Sequence, residues 1–450
     1  MKILLVSPNG DTACDLSLSM MRDGNEVRVF MPVTKKNDSV AREVGDDLIR
    51  KVLSLKGQPE WADLIVVDAL GEPVGFDTGK FVDEQRKAGK RVVGAGTQGE
   101  KLEQDRHFGI EVMKKAGVRV IPSQQFDTFE DGYKFISANP AKYVFKPNIT
   151  SNSEWTYVGK DKDGKDVMEE MRKIEPQWPK DQPVDFEIQV KVSGVEVDVG
   201  GYFSASLGDF LNPIWVQFEH KKFAAGDEHN PRGMGFNIGE AGSTHVWAGK
   251  RQNKFMAETF DKLLPFLKGI GFCGPIDLNC IVNEEGVWPL EFTVRFPIPE
   301  TFLNGEMQKT EWAALLHAMT GKGSAGFAVE PGYGIVVQMF AEGFPFEEMV
   351  DSHSRGKKLP VFPASTVAHV HPEWLKANAN EDLVIAARVG IPFCVTARGA
   401  TMEEARKLVY QRIGPLANSY LWYRPDIGTN TMRDLKELKQ LGYDFDVPVV

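Results

Sequence analysis

The chain has 450 residues, three times the ~150 residues of an average domain, which excludes a single small module. Hydrophobic residues make up 42% of it and 43 glycines come on top, so it can bury substantial cores. Its 53 Lys and Arg stand against 63 Asp and Glu, a net charge of −10 without a basic cluster, and no nucleic-acid partner is expected.

Met1-Lys-Ile-Leu-Leu-Val6 is too short an apolar start for a signal peptide, and no later run approaches the ~20 apolar residues of a membrane span. A cytoplasmic protein without membrane contact is the expectation. The four cysteines form no Cys-x-x-Cys pair and read as buried thiols. His369 and His371 place two rings on one strand face, which alone makes a poor metal site.

Lys2–Val6 reads as an apolar strand, Ser7–Asp11 as a turn and Thr12–Arg22 as a helix, followed by a strand at Val27–Phe30. Leu64–Val67, a helix over Phe81–Ala88 and Arg91–Val93 continue the alternation of a parallel sheet flanked by helices. This first unit spans residues 1–100. Leu102, Phe108, Val112, Met113 and Ala116 recur at helical spacing from Lys101 to Lys115, and Gly117 is placed to stop that helix before a strand at Val118–Ile121. Strands and hairpins then run to residue 325. A final α/β segment, 326–450, has strands at Ile335–Met339 and Phe393–Ala397 and a helix whose start, Thr401-Met-Glu-Glu404, fits a capping box.

The chemistry gathers in Gly274–Val282, a turn at Asn283–Gly286, and Val287–Arg295. Strand alternation sends Ile276, Leu278, Cys280 and Val282 one way, with Trp288, Leu290, Phe292 and Val294 as the matching core face. Asp277, Asn279, Glu291, Thr293 and Arg295 then share the opposite face. Neighbouring carboxylates repel by up to ~4 kcal/mol unless a cation or proton intervenes. Carboxylate and amide oxygens suit Mg²⁺, and an adjacent guanidinium suits phosphate or carboxylate chemistry. A solvated sheet face is the alternative.

Phe186–Val192, a turn at Ser193-Gly194, and Val195–Val199 read as a second, half-buried hairpin, with Glu196 and Asp198 on one face. Lys146 ends the apolar strand Tyr143-Val-Phe-Lys-Pro147. It reads as a snorkelling lysine or, with the small polar loop Asn148–Glu154, as a phosphate contact. His220–Gly235 is a long polar loop ending in close-set glycines that let the backbone approach a ligand.

Four segments, in order along the chain, carry a resemblance. They are Leu102-Glu-Gln-Asp-Arg-His-Phe108 with Ala116-Gly-Val118, the His220-Lys221 to Gly233-Met-Gly235 loop, Leu290-Glu-Phe-Thr-Val-Arg-Phe-Pro-Ile-Pro-Glu-Thr301, and Tyr423-Arg-Pro-Asp-Ile-Gly428. On these the chain resembles the phosphoribosylamine–glycine ligase family of ATP-grasp enzymes. The resemblance implies an amino-terminal doubly wound α/β domain (1–100), an ATP-grasp core (101–325) with a lid at about 120–190, and a carboxy-terminal α/β domain (326–450).

It also implies ATP and Mg²⁺ (or Mn²⁺). Arg106 and Lys146 would contact the nucleotide, Gln189 and Val190 would lie along the adenine edge, and Glu196 near the ribose. Glu291 would hold the metal with Thr293, which stands where the family has asparagine, and Asp277 or Asn279 would complete the coordination. Lys146, Glu291 and Arg295 are the expected catalytic residues. Arg295 would face the acyl substrate, and Lys221, Asp227, Asn230, Gly233, Met234 and Gly235 would line the substrate cleft with Asn9 and Gly10.

The implied reaction joins glycine to phosphoribosylamine through an acyl phosphate in purine biosynthesis, with small molecules as partners and a monomer, or a dimer, as the working form. Ser7–Ala13 replaces the family's Gly-x-Gly-Gly-Arg-Glu-His, Asp68–Pro73 alters its Gly-Pro-Glu element, and Thr150–Glu154 replaces a glycine-lysine-glycine loop. These departures admit two alternatives: a ligase of the same chemistry on another amine, and a non-catalytic nucleotide binder. A dinucleotide oxidoreductase is disfavoured because the first strand-to-helix turn has only Gly10 instead of Gly-x-Gly-x-x-Gly.

Overall fold

The computed structural model describes residues 1–32, 43–71, 76–148, 155–227, 232–321 and 327–447. The amino-terminal sheet is parallel, in the order Lys51–Val52, Glu26–Phe30, Lys2–Val6, Leu64–Val67, Val92–Val93. Leu64-Ile-Val-Val67 is buried along its whole length, the pattern of a strand covered on both faces. The chain leaves Lys2–Val6 in one direction and later returns on its other side, so the crevice at the carboxyl ends of these neighbouring strands is the ligand position of such folds. Ser7 and Asp68 sit there, joined Oγ to Oδ2 at 3.2 Å.

The helix expected over Lys101–Lys115 is two helices, Thr97–Gln104 and Arg106–Ala116. Asp105 has extended backbone, and its carboxylate accepts the Phe108 N–H at 3.0 Å, so it caps the second helix instead of continuing the first. Gly117, at φ 75°, ends that helix as expected. No strand forms at Val118–Ile121; the chain enters a sheet only at Ser123–Phe126.

That sheet is small and antiparallel, ordered Ser123–Phe126, Phe186–Val190, Tyr143–Pro147, Tyr157–Val158. Its outer face and two helices, Phe129–Ala138 and Lys165–Ile174, enclose a separate core that includes Phe126, Phe129, Phe145, Met171 and Phe186. Its inner face carries Val144, Lys146, Glu187 and Gln189, placed together by the pairings Val144 to Gln189 and Lys146 to Glu187.

The hairpin expected across Ser193-Gly194 does not exist. Phe186–Val190 belongs to the small sheet, whereas Val195–Ser204 pairs with Gly274–Asn283 in a ten-stranded sheet. The turn is the crossover between two sheets, and a cleft opens over it. The main path of the large sheet runs Gly286–Thr293, Gly274–Asn283, Val195–Ser204, Trp215–Glu219, Gly242–Trp247, Tyr333–Ala341, Phe393–Gly399, Val370–Pro372. Residues after 326 therefore extend the same sheet through Tyr333–Ala341, with the helix Met402–Ile413 packed on it behind the expected capping box. Among the described residues no helix is long and apolar enough to cross a membrane.

Phe186 is fully buried and stacks on Phe126, Phe129 and Phe145. Phe186→Ala should cost about 3–5 kcal/mol. Because that core is separate, hydrogen exchange should show protection lost across residues 123–190 and retained in the large sheet.

Candidate active site

Asp277 pairs with Thr293 and Asn279 with Glu291, so these four side chains do share one face. The alternation then breaks. A bulge between Asn279 and Cys280 sets Cys280 opposite Pro289 and Val282 opposite Val287. Val287, Phe292 and Val294 join the main core, while Trp288 is buried apart from it, beneath the Arg119 guanidinium at 4.7 Å, and donates to Asn283 Oδ1. Trp288 is thus buried as expected but outside the main core, and Leu290 is only half-buried. Pro289 lacks an N–H for the ladder, and a bulge is where a strand tolerates it.

Glu291 is exposed at the cleft, whereas Asp277 is fully buried with neither carboxylate oxygen partnered. Burial and the neighbouring Asp198 hold the Asp277 pKa well above the carboxylate range. Asn279 is 3% exposed; its Nδ2 donates to Glu219 Oε2 at 2.7 Å and its Oδ1 has no partner.

Across the cleft, burial pushes the Lys146 ammonium below the ordinary lysine range and Arg106 adds to this, against Glu291 and Glu187. Arg106 is held by Asn148 Oδ1 at 2.8 Å, and Asn148 in turn donates to Asp185. Gln189 is buried on the same face, and Val190 binds the Pro122 carbonyl through its backbone N–H. Just beyond the strand Trp215–Glu219 of the large sheet, Lys221 bridges Glu196 Oε1 at 2.9 Å and Glu219 Oε2 at 2.8 Å. Burial opposes its charge, but Glu219, Glu196 and Glu291 raise its pKa well above the usual value. The structure thus brings Arg106, Lys146, Glu291, Glu196 and Lys221 to one cleft.

Arg295 lies at the other end, against the amino-terminal crevice. Glu103 accepts its Nε at 2.9 Å and the Val294 N–H at 2.8 Å, while Asp68 Oδ1 accepts the Phe296 N–H at 3.1 Å. Gly10 begins the helix Gly10–Arg22 directly beneath Trp374, where a Cβ would lie 2.8 Å from the indole. Asn9 N–H is taken by Ser7 Oγ. Burial, assisted by Asp68 and opposed by Thr12 and Arg295, raises the Asp11 pKa to about 6.

Asn230 lies outside the described residues. The rest of its loop is pinned by the Tyr423–Gly428 segment: Arg424, 1% exposed, forks onto Asp426 at 2.7 Å twice and donates to the Lys222 carbonyl, while Asp426 accepts the Gly226 N–H. Gly233, at φ 110°, would set a Cβ 2.8 Å from that guanidinium. Met234 and Asp227 are exposed, and Gly235 continues the strand Met234–Asn237 paired with Lys222–Ala224.

Sequence reasoning missed Glu219, Glu240 and Glu300, whose carboxylate oxygens lie within 4.8 Å of one another. Burial, against Lys221 and with Glu300 and Asp198, raises Glu219 to about 8; burial, Glu300 and Glu219 raise Glu240 well above its usual value. Glu219 adjoins His220-Lys221 and Glu300 ends the Leu290–Thr301 segment, so two of the three lay within reach of recognised motifs.

No protein-family model matches the chain. Phosphoribosylamine–glycine ligase of Lactococcus lactis is 23% identical over 78% of this chain and 81% of that protein. The chain is a homologue of the phosphoribosylamine–glycine ligases. The phosphoribosylamine–glycine ligase structure from Thermotoga maritima superposes with a TM-score of 0.69 at 20% identity, over 95% of this chain and 100% of the other. The biotin carboxylase domain of Hydrogenobacter thermophilus 2-oxoglutarate carboxylase, in complex with MgADP and bicarbonate, gives 0.63 at 11% identity over 99% and 96%. These likenesses establish the ATP-grasp fold.

Asp11→Asn removes a charge that burial disfavours. A carboxyl whose folded pKa exceeds its unfolded value costs stability as pH rises from the unfolded pKa, near 4, to the folded one, about 6. In urea unfolding the variant should therefore gain on the wild type between pH 4 and 6, with a constant gap above. A gap independent of pH there would show that Asp11 is solvated.

Proposed function

We propose that this chain is an ATP- and Mg²⁺-dependent carboxylate–amine ligase, with glycine and phosphoribosylamine as its acid and amine. The observation that carries the reading is the convergence of Lys146 on the small sheet and Arg106 at a helix start with Glu291 and Glu196 on the large sheet and Lys221 just beyond it, in a homologue of enzymes named for that reaction. A non-catalytic nucleotide binder would need none of the charge aligned towards Arg295.

The donor set fits a hard cation: an exposed carboxylate at Glu291, an unpartnered amide oxygen at Asn279 opposite it, and the Thr293 hydroxyl beside them. Asp277 lies deeper on the same face and would act through that pocket. A bound Mg²⁺ would neutralise charge on the transferring phosphates.

Lys146 and Arg106 would hold the phosphates from above. Val144, Gln189 and Val190 would flank the adenine, with Glu196 at the ribose. Arg295, fixed by Glu103, would orient the acid so that a carboxylate oxygen attacks the γ-phosphorus and ADP leaves. The amine nitrogen, entering from the crevice lined by Asn9, Gly10 and Asp68, would then attack the acyl carbon; phosphate departs, the nitrogen loses a proton and the amide forms. The small sheet, as a lid, would keep water from the acyl phosphate. Lys221, Asp227, Gly233, Met234 and Gly235 would wall the donor side. Its partners in this reading are small molecules, the acid, the amine and ATP, met in the cytoplasm.

Wild-type protein with ATP, Mg²⁺, glycine and phosphoribosylamine should release ADP and phosphate in equal amounts. Glu291→Ala should lower kcat by about 10²–10³-fold, the scale of losing one group that stabilises transition-state charge, with the thermal transition retained. ATP binding without product from any acid and amine pair would replace the ligase with the binder.

A further inference from the structure

Several acids gather around the crevice at the carboxyl ends of the amino-terminal strands, and all but one are already committed or buried. Asp68 accepts the Phe296 N–H on Oδ1 and the Ser7 hydroxyl on Oδ2. Glu103 accepts Arg295 on Oε1 and the Val294 N–H on Oε2. Asp15 and Glu373 are buried, the first against His371 Nδ1 at 3.0 Å. Asp11, in the first turn of the helix Gly10–Arg22, differs from all of these. Its Oδ1 is held by the Thr12 N–H at 2.6 Å and the Thr12 hydroxyl at 3.3 Å, which fixes the side chain. The residue is only half-buried, and among the described residues nothing hydrogen-bonds its Oδ2. One oriented carboxylate oxygen is thus left open to whatever enters the crevice.

Its position gives that oxygen a task. Asp11 and Arg295 act on each other electrostatically, yet no ion pair joins them, the guanidinium being paired with Glu103. With Arg295 orienting the acid, the space between the two is where acyl carbon and amine would meet. We infer that Asp11 is the general base of the amide-forming step, its Oδ2 taking the proton of the attacking amine. The nitrogen lone pair forms the bond to the acyl carbon, the carbon–oxygen bond to phosphate breaks with its electron pair leaving on phosphate, and the nitrogen's proton passes to Asp11. This rests on the ligase reading and assigns a residue to a proton transfer that it leaves without one. The fifth residue of the segment that reads Gly-x-Gly-Gly-Arg-Glu-His in the resembled family is Asp11 here, so the base is this chain's own feature. Asp68 beyond Leu64–Val67, Arg295 beyond Gly286–Thr293, Glu373 beyond Val370–Pro372 and Cys14 on its own helix are the ionisable groups that face it. Burial, with Asp68 and against Thr12 and Arg295, raises its pKa to about 6, so it is ionised at neutral pH yet a better proton acceptor than an ordinary carboxylate. A charge that costs the fold stability is retained where it serves chemistry.

The test is rapid-quench kinetics on wild type, Asp11→Asn and Asp11→Ser, each checked for a cooperative thermal transition. The reactants are ATP, Mg²⁺ and glycine, with phosphoribosylamine varied up to saturation. ADP formed per site reads activation of the acid, and amide formed per site reads attack by the amine. In the variants the first turnover of ADP should keep pace with wild type, whereas amide should form roughly 10²–10⁴-fold more slowly, the scale of losing a general base. Equal slowing of both steps, or amide at the wild-type rate, overturns the assignment while leaving the ligase intact. A deficit that more amine removes overturns it too, since Asp11 would then only bind the acceptor. If wild type itself forms neither ADP nor amide, the ligase reading fails and the role of Asp11 falls with it.

Discussion

Lys221 ties two neighbouring strands of the large sheet, Val195–Ser204 and Trp215–Glu219, into one electrostatic unit. It bridges Glu196 and Glu219 at 2.9 and 2.8 Å, and Glu291 also acts on it. Each contact is worth roughly 6 kcal/mol gross at an effective dielectric near 20. Removing the three charges from water costs several kcal/mol per ion, so little net stability remains. What remains is position. A lysine fixed between these acids sets the distance between Glu196 and Glu219, and in the proposed reading it would separate the nucleotide side from the donor side.

The second constraint is the crossover at Ser193-Gly194. Because the chain passes there from the small sheet to the large one, Lys146 on the small sheet comes within electrostatic reach of Glu291 and Glu196 on the large one. The small sheet can do this because its aromatic core lies on the opposite face; it needs nothing from the cleft to stay folded. The small sheet thus has its own core, separate from that of the ten-stranded sheet.

Much of this was legible in the sequence. Apolar runs such as Leu64–Val67 and the alternation of Ile276, Leu278 and Cys280 record burial directly, and the Thr401 and Gly117 helix signals are local chemistry. The failures were non-local. Asp105 could have continued a helix or capped one, and only the packing of Arg106–Ala116 decides. Nothing near Ser193-Gly194 tells a hairpin from a crossover, since the partners of both strands lie far along the chain. Pro289 was a local warning of the bulge that takes Trp288 out of the main core. Glu219, Glu240 and Glu300 come together only through sheet order, so spacing alone could not join them.

The amino-terminal domain is locked to the base where the lid is not. Asp68, 1% exposed, takes the Phe296 N–H and the Ser7 hydroxyl, and Glu103 takes Val294 and Arg295. Both acids thereby grip the segment that follows Glu291 and Thr293. Arg295 has its direction set from outside its own strand, by groups that also line the acceptor crevice. Any displacement of that crevice would carry Arg295 with it. In the proposed reading the acyl and amine sides would therefore keep a fixed relation, and any opening would fall to the nucleotide side.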